Sequence, residues 1–169
     1  MLCKFEVFCE NDIAELTPVM KSAFDHDTYI HTGEKEGGPT GYDNGNLFRK
    51  YYLDKGHISY KIFWGDMPAG GLCVKINDNK INVLESIFID PKLQGKNIGK
   101  AAWDFIEQTF PDTVKWQVCT PAYSTRNIHF YVSKCGFEIV EKDKCGVCFM
   151  EKIRLSSLTL SVKHPSLDG

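Results

Sequence analysis

The order of apolar runs and chain breaks predicts an α+β domain, a mixed and mostly antiparallel sheet with helices packed across it. Three observations carry that expectation. Three strand-like runs follow one another in mid-chain with connections too short for anything but antiparallel neighbours. Two later stretches have helical periodicity and clear stop signals, and each lies between strand-like segments. Finally, 169 residues, 43% hydrophobic and 25% charged, suit one domain with a real core.

Residues 3–9 alternate loosely and read as a first strand. Asn11-Asp12-Ile13 is placed to cap a helix that carries Ile13, Leu16, Met20 and Phe24 near helical spacing. Residues 25–46 are rich in Gly, Asp, Thr and Tyr, and read as a long loop or broken helix of the kind that is usually functional or disordered. A short helix over about 47–53 follows. The mid-chain strands are His57–Trp64, 69–76 and Ile81–Ile89, joined by Gly65-Asp66-Met67-Pro68 and Asn77-Asp78-Asn79-Lys80.

A helix with Ile98, Ala102, Phe105 and Ile106 on one face is then ended by Pro111. Residues 114–119 make a fifth strand. A second helix covers 125–135, with Ile128, Tyr131, Val132 and Cys135 on one stripe and Gly136 as its stop. Strands at 137–140 and Val147–Ile153 finish the sheet. The Ser-rich tail, 155–169, reads equally as an edge strand, an arm or disorder, so the division is a single domain over 1–154 followed by the tail.

A formal charge of -2 and a pI near 6.2 leave no basic excess, which disfavours nucleic acid and membrane surfaces as partners and favours a small molecule or peptide. The N-terminus lacks an apolar core behind a basic start, and no apolar run is long enough to cross a bilayer, so a cytoplasmic location is expected. Seven cysteines are an odd number in a chain that is not small, and Cys73 and Cys119 sit in strand-like context, so reduced and mostly buried thiols are expected. Cys145-Gly146-Val147-Cys148 has metal or redox spacing, but no second pair or suitably spaced histidines complete a site, and no metal is expected.

The stretch Asp90-Pro91-Lys92-Leu93-Gln94-Gly95-Lys96-Asn97-Ile98-Gly99-Lys100 leaves a strand and enters a helix through glycines and lysines, which suits a phosphate held by free N–H groups. A Walker loop is excluded, because Gly95 and Gly99 are separated by three residues and Ala101 stands where the magnesium-binding hydroxyl belongs. The Gly-x-Gly-x-x-Gly dinucleotide fingerprint is absent, and the preceding strand follows an antiparallel meander.

Gln94-Gly95-Lys96-Asn97-Ile98-Gly99 resembles instead the pyrophosphate loop of the GNAT superfamily of acyl-CoA-dependent N-acetyltransferases: Gln or Arg, two residues, Gly, one residue, Gly or Ala. Asn97 replaces the first glycine of that pattern and is the non-glycine residue best suited to a left-handed backbone. Val83-Leu84-Glu85-Ser86-Ile87-Phe88-Ile89-Asp90-Pro91 resembles the family's central strand. Asn127-Ile128-His129-Phe130-Tyr131 and Lys134-Cys135-Gly136-Phe137 resemble its second signature helix.

The resemblance implies the GNAT fold, an α/β/α-like arrangement with a mixed, mostly antiparallel sheet of about seven strands and helices on both faces. It implies acetyl-CoA as acetyl donor, a primary amine of a small molecule or peptide as acceptor, direct attack in a ternary complex, and room for a homodimer. Tyr131 would donate a proton to the leaving thiolate, and Glu85, an acid in an otherwise apolar strand, would serve as base, with burial raising its pKa. Amides from Gly95 through Lys96, Asn97, Ile98 and Gly99 to Lys100 would face the pyrophosphate, with Lys96 and Lys100 adding charge and Gln94 opening the loop. Main-chain groups of Ile87, Phe88 and Ile89 would pair with the pantetheine arm, and Asn127 or Ser124 would contact it from the side.

His129 flanks Tyr131 but faces elsewhere on its helix. Asp25, Asp27, Glu34, Glu36 and Asp43 stand out as carboxylates for a cationic acceptor, whose identity stays open. The competing reading is a non-catalytic acyl-CoA-binding or sensing module on the same fold.

Overall fold

Strand alternation and turn chemistry locate the sheet with little error. The computed structural model describes residues 2–154, and the tail over 155–169 lies outside them. The strands are β1 (Cys3–Val7), β2 (His57–Trp64), β3 (Met67–Lys75), β4 (Ile81–Ile89), β5 (Lys115–Pro121), β6 (Glu138–Lys142) and β7 (Val147–Ile153). They form one seven-stranded sheet in the order β1-β2-β3-β4-β5-β7-β6, and every neighbouring pair is antiparallel except β4 with β5.

Helix α1 spans Ile13–Thr32, so it continues through Asp25–Thr32, where the sequence suggested a loop. Its apolar stripe runs out at Phe24, but the buried face continues with Asp27 and Thr28, whose Oδ2 and hydroxyl bond the Ser124 hydroxyl and the Gly37 carbonyl. Gly33 ends the helix in the left-handed region, at φ 80°, with its N–H donating to the Tyr29 carbonyl. The expected helix near residues 47–53 is a single π-helical turn, Phe48–Tyr52.

Helix α2 spans Ile98–Thr109 and buries Ile98, Ala102, Trp103 and Ile106. Helix α3, Thr125–His129, passes directly into a π-helical turn, Phe130–Cys135, which Gly136 stops at φ 79°. Widening to π shifts the stripe: Tyr131 and Cys135 are buried as expected, whereas Val132 is exposed.

Helices cover both faces of the sheet. On one face α2, α3 and the π turn enclose Leu72, Val74, Trp116 and Phe137, with Trp103 edge-on to Trp116 at 5.5 Å between centroids. On the other, α1 and the first π turn enclose Phe8, Leu16, Met20, Cys73 and Phe88. Leu16 and Met20 are fully buried, and truncating either to Ala costs about 2–5 kcal/mol at such a site. Between β3 and β4 the backbones approach so closely at Gly70 that a Cβ there would lie 2.0 Å from the Phe88 carbonyl oxygen.

Candidate active site

The site begins where the sheet comes apart. β4 pairs with β3 along most of its length, but with β5 only at Ile81–Val83 opposite Lys115–Gln117. Beyond Val83 the two parallel strands run on, to Ile89 and Pro121, without pairing to each other. Backbone groups on that side of β4 therefore face an opening, where water or an extended ligand can satisfy them.

A β-bulge sets what faces that opening. Cys73 stands opposite Ser86 and Val74 opposite Leu84, which leaves Glu85 as the extra residue. Regular alternation would put Leu84 and Ile87 on opposite faces. With the bulge, both pack on the α2 side, while Phe88 packs on the α1 side and the Ser86 hydroxyl meets Tyr52 Oη at 2.6 Å.

From Ile89 the chain passes through a 3-10 turn, Pro91–Leu93, into the loop ahead of α2. Two residues there adopt the left-handed conformation, Gly95 at φ 80° and Asn97 at φ 61°, and Asn97 is the N-cap of α2. This fits the sequence expectation for Asn97. The turn sits at the positive end of the helix dipole, ahead of first-turn N–H groups that lack helical partners. Gln94 braces it: its amide NH₂ donates to the Ile89 carbonyl at 3.0 Å, and its side-chain oxygen accepts from the Arg126 guanidinium at 2.8 Å.

Opening and loop share a cavity of about 310 Å³, lined by Ile87, Phe88, Ile89, Gln94, Gly95, Asn97, Ile98, Gly99, Lys100, Asn127 and Tyr131 from the expected set, together with Ala23, Phe24 and Asp27 of α1 and Arg126 of α3. Tyr131 is 7% exposed, and its ring packs against Phe130 and Phe137. Among the described residues its hydroxyl makes no hydrogen bond. Burial raises its pKa above the usual phenol range, and the neighbouring Cys135, Cys119 and Asp27 push the same way. It therefore stays protonated at neutral pH.

A phosphate-suited turn and a protonated phenol in one cavity are features the sequence resemblance implied, and the parting of β4 from β5 beside them is added by the structure. The model of the acetyltransferase (GNAT) family matches residues 21–137. The chain belongs to the GNAT acetyltransferase family. It is thus an acyltransferase. It is 36% identical over 137 residues to the uncharacterized protein YrkN of Bacillus subtilis (strain 168), covering 80% of this chain and 73% of that protein.

Its fold is shared by an acetyltransferase of Thermus thermophilus, with TM-score 0.75 and 15% identity over 91% of this chain and 98% of that one. It is shared also by the PaiA N-acetyltransferase of Thermoplasma acidophilum, whose structure is a complex with coenzyme A, with TM-score 0.72 and 16% identity over 91% and 100%. The ribosomal-protein-S18-alanine N-acetyltransferase of Escherichia coli follows with TM-score 0.68 and 13% identity over 94% and 99%.

Within this GNAT domain, three of the expected positions, Lys96, Ser124 and Glu85, stand apart from the cavity. His129 does not line it either, and its Nδ1 pairs with the Ser133 hydroxyl at 3.2 Å. Ser124 is fully buried, and its hydroxyl donates to Asp27 at 2.7 Å. Glu85 was expected to be buried, but the bulge turns it out of both cores and leaves it exposed, with His57 Nε2 3.4 Å from Oε1. Its backbone lies on β4 two residues past the last pair with β5, at the edge of the opening, and the Cys119 thiol pKa on β5 is raised first by burial and then by Glu85. Cys119 in turn is felt by Tyr131.

Of the loop acids, Asp25 is occupied: it accepts from Lys21, Tyr42 and the Gly37 N–H. These bonds outweigh the opposing effect of burial and hold its carboxyl below the usual range. Asp27 is different. It is 8% exposed and lines the cavity, with Oδ2 bound by Ser124 but Oδ1 buried without a hydrogen bond, 3.7 Å from the Arg126 guanidinium. The Asp27–Ser124 pair joins positions 97 residues apart, which no local pattern in the sequence signals.

Cys145 is exposed and Cys148 buried, and both are free thiols. No group of three or more His, Cys, Asp or Glu side chains suited to a metal ion occurs among the described residues. None of the described helices is long and apolar enough to cross a membrane.

Proposed function

We propose that this protein transfers an acetyl group from acetyl-CoA to a primary amine of a small molecule or peptide, by direct attack while both are bound. The observation that carries this reading is the gap between β4 and β5, which opens onto the left-handed turn at the start of α2 with the Tyr131 hydroxyl free inside it. The unpaired edge of β4 suits an extended arm with amide groups. The turn, with Lys100 lining the same cavity, suits a pyrophosphate. Bound there, acetyl-CoA would supply an activated acyl group on a good leaving thiolate.

The residues of the chain then have two proton tasks. An alkyl ammonium acceptor has a pKa of about 10.4, so near neutral pH only about one molecule in a thousand is nucleophilic, a cost of roughly 4 kcal/mol. Glu85, at the bulge on the rim of the opening, is the proposed acceptor of that proton. Tyr131, kept neutral by burial, is the proposed hydrogen-bond donor to the sulfur as it gains charge. Exposure suits Glu85 to this work, because a base that must return its proton to solvent at every turnover needs access to water.

The test is an acetyl-CoA consumption screen over polyamines, aminoglycosides, amino acids and peptide N-termini, run beside thermal denaturation. Acetyl-CoA at about 100 times its dissociation constant should stabilise the fold by about 2.7 kcal/mol, and ATP and NAD should not. Stabilisation by ATP alone would overturn the site assignment. Tight acetyl-CoA binding with no turnover on any amine would favour a sensing module.

A further inference from the structure

His57 lies between two carboxylates. It opens β2, its side chain is 9% exposed, Nδ1 is 2.7 Å from Asp54 Oδ2, and Nε2 is 3.4 Å from Glu85 Oε1. Asp54 is on the turn before β2, with its side chain 49% exposed, while Glu85 is on the bulge of β4. The remaining groups facing the ring are Tyr51, edge-on at 5.7 Å between centroids, and Lys75, the residue opposite His57 on β3. Hydrogen bonds from His57 and the Gly56 N–H hold the Asp54 carboxyl below the usual range, so it stays ionised.

This geometry limits where protons can sit. A carboxylate accepts only, so an imidazole flanked by two of them satisfies both contacts in just two ways. Either the ring is an imidazolium donating at both nitrogens, or Glu85 is protonated and donates to Nε2 while Nδ1–H donates to Asp54. These are two forms of one protonation state. With one proton fewer, the Nε2 lone pair and the Glu85 carboxylate face each other without a hydrogen between them, and that contact is the longer of the two.

From these contacts we propose that Asp54, His57 and Glu85 form a proton exit, with His57 as the positioning and proton-carrying residue through which Glu85 is reset. The inference rests on Glu85 acting as the base. The amine's proton moves to Glu85, and the N–H bond electrons stay on nitrogen as the nucleophilic lone pair. Glu85 passes the proton to Nε2 and is ionised again, and the ring releases its other proton from Nδ1 toward Asp54 and the water around it, which leaves the hydrogen on Nε2. Exchange with water then moves that hydrogen back to Nδ1, and the Nε2 lone pair faces Glu85 again before the next turnover. No electrons are exchanged, and the proton count closes once per turnover.

The experiment uses the full-length protein, acetyl-CoA and the best amine from the screen, with His57→Gln, His57→Ala, Asp54→Asn and Glu85→Gln compared. His57→Gln keeps a donor toward Glu85 but cannot carry a proton. Its kcat should fall by about 10-fold or more, with acetyl-CoA affinity unchanged and a larger solvent isotope effect than wild type. Added imidazole should restore part of the His57→Ala rate, and Asp54→Asn, which removes the charge beside Nδ1, should move the acid limb of the kcat profile to lower pH.

A folded His57→Gln enzyme with wild-type kcat and isotope effect, beside a Glu85→Gln enzyme reduced about 100-fold, would overturn the exit while leaving Glu85 as base. Full activity in Glu85→Gln would overturn the base and the exit together. Loss of thermal stability in His57→Ala and Asp54→Asn, without imidazole rescue or any shift in the pH profile, would reduce the trio to a brace for the turn before β2.

Discussion

Removing the Tyr131 hydroxyl separates an acetyl-transfer enzyme from a protein that merely binds its donor. Tyr131→Phe keeps the ring between Phe130 and Phe137 and deletes an oxygen that has no hydrogen-bond partner among the described residues, so the fold should tolerate it. The size of the kinetic effect follows from the environment. Burial, reinforced by Cys135, Cys119 and Asp27, raises the phenol pKa, and this widens its distance from a thiol near 8.5. Complete proton transfer to the departing thiolate is then uphill, and the hydroxyl acts by hydrogen bonding to developing charge.

Such a bond is worth about 1.5–3 kcal/mol, which corresponds to a fall in kcat of about 10- to 150-fold. The assay is steady-state acetyl transfer to the best amine, with acetyl-CoA affinity measured separately by titration. A loss confined to kcat supports the role. An unchanged kcat in a folded variant, or a loss expressed entirely as weaker acetyl-CoA binding, would refute it.

Gly99→Asp should abolish acetyl-CoA binding while the protein still folds: an acid in the first turn of α2 suits the helix dipole, and the new Cβ, 3.3 Å from the Phe130 ring, asks only a small shift of that ring. Wild-type affinity in calorimetric titration of the soluble variant would show that the loop holds no phosphate. Gly70→Ala should destabilise by at least about 1–3 kcal/mol, because its Cβ would meet the Phe88 carbonyl and nothing there can yield except the β3–β4 pairing; a normal denaturation midpoint would contradict the close approach.

Acid should weaken the fold through Asp12 and Asp25. Burial opposes their ionisation, but Lys61 and the Cys9 N–H at the first, and Lys21, Tyr42 and the Gly37 N–H at the second, hold both carboxyls below the usual range. A depressed folded pKa contributes stability that is present above the unfolded value of about 3.9 and is lost as pH falls through the folded one. The melting temperature should therefore drop below about pH 4, and less steeply in Asp25→Asn; equal slopes would remove Asp25 from the account.

The strands were the most legible part of the fold. His57–Trp64, Ile81–Ile89 and Val147–Ile153 match their expected ends, because β-branched and aromatic runs stop at turn residues. The loop was equally legible, since left-handed positions leave their mark as Gly95 and Asn97. The second half of α1 was not: apolar periodicity reports a face turned to an oily core, and the face carrying Asp27 and Thr28 is turned to polar partners. The π turns at Phe48–Tyr52 and Phe130–Cys135 differ from α-helix by one residue in hydrogen-bond span, for which the sequence has no distinct signal. Glu85 was correctly placed in its strand, but its exposure and its approach to His57, 28 residues away, depend on a bulge that alternation cannot show.

The contact between β4 and β5 consists of three residue pairs, and it makes the sheet two plates, β1-β2-β3-β4 and β5-β7-β6, stitched at one corner. At the unstitched end the links include Ser124 to Asp27, Arg126 to Gln94 and the Arg126 N–H to His31 Nε2. The core under α2 still spans both plates, from Leu72 and Val74 to Trp116 and Val118, so the freedom that the missing ladder leaves is confined to the open end. A donor arm lying between them would work as a splint as well as a reagent. It would lock plates that carry Glu85 on one side and Cys119 on the other, and the acceptor surface would take its final shape only after loading.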